Sequence, residues 1–153
     1  MGFELMDVRV PMMEQTVDLA LPGSEPEEHV IFLAPASDRV LSETLEEYLQ
    51  GPRQFLPMSS SGIPKIVNKE HILWVRVTSD PRGEPEELTL IKETILELVD
   101  GSRLEGYVRI GAPLIHPRVS DLMNQPGDLF IRLEDSGAIY YINKMMVRFA
   151  LPR

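Results

Sequence analysis

Thr94-Ile95-Leu96-Glu97-Leu98-Val99-Asp100-Gly101-Ser102-Arg103-Leu104-Glu105-Gly106-Tyr107-Val108-Arg109-Ile110 holds two strand-like apolar runs joined by Asp-Gly-Ser, and its reading decides the fold. Asp-Gly between such runs predicts a β-hairpin, because both residues accept the positive φ that tight hairpin turns demand. The same punctuation occurs earlier. Residues 16–35 align without gaps onto 94–113 at a shift of 78, with Thr16/Thr94, Gly23/Gly101, Ser24/Ser102, Glu27/Glu105, Val30/Val108, Ala34/Ala112 and Pro35/Pro113 identical. In the earlier copy Thr16-Val17-Asp18-Leu19-Ala20-Leu21 runs into Pro22-Gly23-Ser24, and His29-Val30-Ile31-Phe32-Leu33 follows, which predicts a hairpin with a looser loop.

The correspondence continues past the hairpin. Phe55-Leu56-Pro57-Met58 matches Phe130-Ile131-Arg132-Leu133, and residues 61–69 match 136–144, now at a shift of 75. Between hairpin and matching strand, Ser42 to Pro52 has acids in its first turns, apolar Leu45, Tyr48 and Leu49 at i, i+3 and i+4, and Gly-Pro beyond its end. That is a short amphipathic helix. Its counterpart from Ser120 is shorter and accounts for most of the change in shift. Turns follow at 60–62 and 135–137, then strands ending at Asn68-Lys69 and Asn143-Lys144, then final strands over 72–77 and 146–151. Asn accepts turn geometry at little cost, so the paired Asn-Lys marks a bend.

The chain thus divides into a lead (1–15), a first repeat (16–77), an acidic Pro/Gly linker (78–93) and a second repeat (94–153). The fold class expected is mainly β with short helices: two tandem five-stranded small-barrel or curved-sheet repeats related by a pseudo-two-fold. Each repeat sits near the lower size limit for burying an adequate core alone, so the two are expected to pack on each other. In strand order and spacing each repeat resembles the small Sm-like or SH3-like β-barrel, although the helix falls between the second and third strands. Arg103-Leu104-Glu105-Gly106, residues 118–124, Phe130-Ile131 and Ile142-Asn143-Lys144 also resemble a small bacterial domain of unknown function. That resemblance implies no chemistry.

Composition narrows the setting. A hydrophobic share of 43% with 25% charged residues is that of a globular protein, and no apolar run approaches the ~20 residues that cross a bilayer. With acids at Glu4 and Asp7 and no cysteine anywhere, the cytoplasm is the expected compartment. The net charge of −9 opposes phosphate backbones and disfavours nucleic acid as a partner.

Catalytic patterns are missing. His29, His71 and His116 lack metal-site spacing, and Ser59-Ser60-Ser61-Gly62 is a turn rather than a nucleophile elbow. The singly spaced glycines form no phosphate-cradling loop, and neither the arginine pair nor the Asp/Asn-x-Ser-x-x-Gly pattern of cyclic-dinucleotide-binding PilZ barrels occurs. The carboxylate pairs, Glu134/Asp135 among them, read as surface charge. No cofactor and no metal are expected, and the chain is not expected to be an enzyme.

Two features point to binding instead. Arg39/Arg118 and Lys69/Lys144 recur at equivalent places and would form a small charged patch if the copies stack. Met12-Met13, Met145-Met146, Trp74 and Tyr140-Tyr141 crowd near strand ends, and neighbours on a strand face opposite ways, so one of each pair must be covered by the other repeat or by another chain. The candidate interaction residues are therefore Arg39, Lys69, Trp74, Arg118, Tyr140, Lys144 and Met145. The expected role is a protein-interaction or assembly module whose partner is another protein or a second copy, with no membrane. The alternative is an RNA-binding or small-ligand-binding Sm-like module.

Overall fold

In the computed structural model residues 13–33, 44–78, 89–111 and 118–153 are described, and ten strands among them form one antiparallel sheet. The first half supplies β1 (Met13–Ala20), β2 (Glu27–Leu33), α1 (Leu45–Gln50), β3 (Phe55–Ser60), β4 (Ile63–Asn68) and β5 (Trp74–Val77). The second supplies β6 (Thr89–Leu98), β7 (Arg103–Gly111), α2 (Val119–Met123), β8 (Phe130–Asp135), β9 (Ala138–Asn143) and β10 (Val147–Pro152). No helix among the described residues is long and apolar enough to cross a membrane.

Local chemistry sets these elements. At the turn between β6 and β7, Gly101 takes φ 89° and its N–H donates to the Leu98 carbonyl. The Asp100 carboxylate accepts from the Ser102 N–H and hydroxyl, and the hydroxyl bond holds its pKa below the usual carboxylate value. Helix α1 starts with a capping box: Glu47 N–H donates to Thr44 Oγ1, and Thr44 N–H donates to Glu47 Oε1. Its Leu45, Tyr48 and Leu49 are buried, and the Tyr48 hydroxyl donates to the Pro57 carbonyl at 2.9 Å. The expected bend after β4 is a single 3-10 turn, Lys69–His71, in which Asn68 Oδ1 accepts from Glu70 N–H. Asn143 and the turn Lys144–Met146 repeat that geometry.

Strand order along the sheet is β10-β6-β7-β8-β9-β5-β1-β2-β3-β4. Cut between β9 and β5, it falls into two runs of the same order, and the ladders agree residue by residue. Val17 faces His29 as Thr94 faces Gly106, Val30 faces Ser59 as Tyr107 faces Glu134, and Val75 faces Leu19 as Ala150 faces Leu96. The offset is 77 residues in the first two strands of each half and 75 in the last three. The hairpin shift of 78 read from sequence identity is therefore one residue off the pairing. A slip of one exchanges the faces of a strand: at 78 buried Val17 meets half-buried Ile95, whereas at 77 it meets buried Thr94.

Of the two forms expected for the repeats, small barrel or curved sheet, the described residues show an open sheet. The sheet does not close into barrels: among the described residues β9 does not pair with β10, because its outer edge is taken by β5. Strands β5 and β9 hold different places in their halves and run antiparallel, so the halves meet head to tail along the sheet rather than like strand against like. Strand β6 begins at Thr89, within the stretch expected to be linker, because Leu90 and Ile91 pair with Ile110 and Arg109. The lead before Met13 and most of that linker lie outside the described residues.

Two hydrophobic cores flank the shared strands, and each draws on both halves. Val75 and Val77 join Phe130, Ile139 and Tyr141 in the core around α1, while Ala20, Leu73 and half-buried Trp74 join Ile131, Tyr140 and Ile142 in the core of the second half. Alternation along β5 and β9 deals successive residues to the two cores.

Candidate functional site

The joint between the halves is where the most distinctive chemistry lies. Trp74, Val75, Arg76 and Val77 face Ile142, Tyr141, Tyr140 and Ile139. Trp74 meets Tyr140 edge to face, with ring centroids 5.2 Å apart, and the Arg76 guanidinium stands over the Tyr140 ring while bonded to Asp18 at 2.9 Å. Two amides clamp the ends. Fully buried Asn143 donates its backbone N–H to the Leu73 carbonyl and its side-chain Nδ2 to the Glu70 carbonyl at 3.0 Å. Gln50, the last residue of α1, accepts from Leu129 and Phe130 N–H through Oε1 and donates from Nε2 to the Phe130 carbonyl. Apart from the Arg76–Asp18 bond, which lies within the first half, each of these contacts crosses from one half to the other.

Of the seven residues singled out by sequence, Trp74 and Tyr140 are thus brought together, inside the chain. The one-of-each-pair argument holds at Tyr140-Tyr141, whose rings enter opposite cores. Met146 packs against the second core and Met145 remains exposed. Met12 and Arg39 lie outside the described residues. Arg118 is exposed at the start of α2 and bonds to Asp121.

The lysine pair is internal wiring rather than a free charged patch. Lys69 is buried and donates from Nζ to the Gly51 carbonyl at the end of α1; Lys144 donates to the Gln125 carbonyl beyond α2. Burial, reinforced by the Arg53 guanidinium, pushes the Lys69 pKa down against the opposing pull of Glu70. Each lysine ties its 3-10 turn to its own helix end.

Sequence reasoning missed an ionic cluster. Glu134, expected at the surface, is buried in β8 and takes Arg109 Nε at 2.6 Å, with Tyr107 hydroxyl at 3.5 Å and Arg132 Nε at 3.7 Å. The bond to Glu134 raises the Arg109 pKa. The signal that could have found it is the alternation of Tyr107 and Arg109, which places both on one face of β7, the same face of the sheet as Glu134, the cross-strand partner of Tyr107. The ladder counterparts in the first half are Ser59, Val30, Phe32 and Pro57, so the cluster belongs to one half alone. Glu134 pairs directly with Arg109, while the buried Arg132 Nε stands at ion-pair distance without a hydrogen-bond partner among the described residues. In the first half His29 is buried instead, with Nδ1 at 3.0 Å from the Glu27 carbonyl and Nε2 accepting from Lys65 Nζ at 3.2 Å. Among the described residues no three His, Asp or Glu side chains converge as a metal set would.

Among the described residues two sheet edges have no partner strand: β4, beyond β3, and β10, beyond β6. Outward backbone groups belong to Pro64, Ile66 and Asn68 on the first, and to Ala150 and Pro152 on the second, since Lys69 and Arg153 donate inward to Gln54 and Glu93. Compared with protein-family models, with curated proteins and with solved structures, the chain gives no match.

Proposed function

We propose that the chain is a non-enzymatic assembly module of the bacterial cytoplasm, built as a tandem duplication and acting through its open strand edges. One observation carries the reading. The β5 and β9 edges are joined by hydrogen bonds, interleaved aromatics and amide clamps, and the described residues leave two further edges of the same two kinds without a partner strand. An exposed edge is a template for strand addition: main-chain bonds supply affinity, and side-chain pockets supply selectivity. The edge of β4 adds apolar weight, with Phe55, Ile63 and Ile66 exposed beside or upon it. The alternative Sm-like RNA-binding role draws less support, because Lys69 and Lys144 spend their charge on carbonyls within the chain.

Proline removes the outward N–H of an edge strand without disturbing the ladder on the other side, so Ile66→Pro and Ala150→Pro test the reading. Affinity purification from the native host, with mass determination of the complex, should find wild-type protein in an assembly and one or both variants released from it by at least tenfold. Retention of every partner by both variants would overturn the proposal.

A further inference from the structure

We propose that the partner at these edges is a second copy of this chain, with β10 of one molecule pairing antiparallel to β4 of the next in the register the chain already uses between β5 and β9. This rests on the reading of the chain as an assembly module and goes beyond it by naming the partner and the pairing.

The argument is continuity with an existing interface. At the offset of 75, β10 corresponds to β5 and β4 corresponds to β9. The pairing of Trp74 to Val77 with Ile142 to Ile139 then predicts Phe149, Ala150, Leu151 and Pro152 of one molecule against Val67, Ile66, Lys65 and Pro64 of the next.

Burial marks what is missing. Phe130, Ala138 and Tyr141 are 2%, 7% and 1% exposed on the half whose β9 edge is covered, whereas their counterparts Phe55, Ile63 and Ile66 are 53%, 65% and 73% exposed. The positions stay apolar where no strand among the described residues covers them. The amide clamps also have successors. Asn68 holds the place of Asn143 and likewise caps its 3-10 turn through Oδ1, while its Nδ2 has no bond within the described residues. Exposed Asn124 and Gln125 follow α2 where Gln50 ends α1.

The prolines select the register. Pro64 and Pro152 both point their absent N–H outward, and in the proposed pairing they face each other, so both losses fall on a single rung. A slip of two residues would spread them over two rungs. The hydrogen-bonded rung Ala150/Ile66 remains, and the Arg148 carbonyl is placed to accept from Asn68 N–H as the Leu73 carbonyl accepts from Asn143 N–H. Because the edges are unlike, each added copy leaves one β4 and one β10 free, and the series ends only when a ring closes.

The chain has no cysteine, so introduced thiols report on contacts cleanly. Lys65→Cys and Leu151→Cys are prepared as separate full-length proteins, mixed and oxidised. The expected product is a disulfide between the two different variants, at least tenfold above any formed within either variant alone. Ile66→Cys with Ala150→Cys gives a second pair should Lys65→Cys fail to fold. Light scattering of the wild type should give a mass above that of one chain, falling to one chain for Ile66→Pro. Equal cross-linking of each variant with itself, or a single-chain mass at all concentrations without mixed disulfide, overturns the inference. A single-chain mass together with a host partner lost on Ile66→Pro sinks only the second copy; no edge-dependent partner of either kind sinks both.

Discussion

Lys69 shows how a residue visible in sequence acquires its meaning from its surroundings. Its recurrence as Lys144 was legible, and so was the bend made by the preceding asparagine; its burial was not, because it depends on where the end of α1 lands after folding. The ammonium group is dehydrated yet keeps the Gly51 carbonyl as acceptor. Its pKa in the native chain lies below 10.5, while in the unfolded chain it returns to that ordinary value. Between the two, the unfolded state binds the extra proton, so this group makes stability rise with pH. Lys69→Met keeps the apolar stem and lacks the titration. Urea midpoints measured from pH 7 to 10.5 should therefore show the wild type gaining on Lys69→Met as pH rises, and a constant difference would contradict the assignment.

The hairpins were legible as elements because alternation and Asp-Gly act within a few residues. Their register against each other was not, since identity matched the turn residues Gly23 and Gly101, whereas the ladder is fixed by which side chains reach the core. Gly106 illustrates a constraint that only the sheet reveals. Its φ is ordinary, yet a Cβ there would overlap the Glu134 carbonyl oxygen and press on Leu133 Cγ, close to the pairing of Tyr107 with Glu134 that joins β7 to β8. Backbone cannot yield as a flexible side chain does. Gly106→Ala should cost about 1–3 kcal/mol by overpacking. Gly111, with open space around it and φ outside the left-handed region, serves as the control, and Gly111→Ala should stay within about 0.5 kcal/mol of wild type. Denaturant titration of both separates close approach from a general cost of altering glycine in a strand.

At the scale of the molecule, the sequence supplied the five-strand order of each half and the need for one half to cover the other. It did not supply the manner of covering, because edge pairing is decided by long-range contacts between strands β5 and β9, which neither half contains alone. Since Tyr141, Phe130 and Ile139 of the second half complete the core around α1, and Leu73 and Ala20 of the first complete the other, neither core survives separation of the halves. The two should then melt together. Trp74, the only tryptophan, sits at the joint and reports on its loss, while far-UV circular dichroism reports on the whole sheet. The two transitions should coincide in wild type. Tyr141→Ala, by emptying a site in the first core from a strand of the second half, should destabilise by about 3 kcal/mol or more and move both probes together. If the tryptophan signal shifted while part of the sheet melted at its original midpoint, the halves would be independent bodies, and an interface repeated between molecules would have no model within the chain.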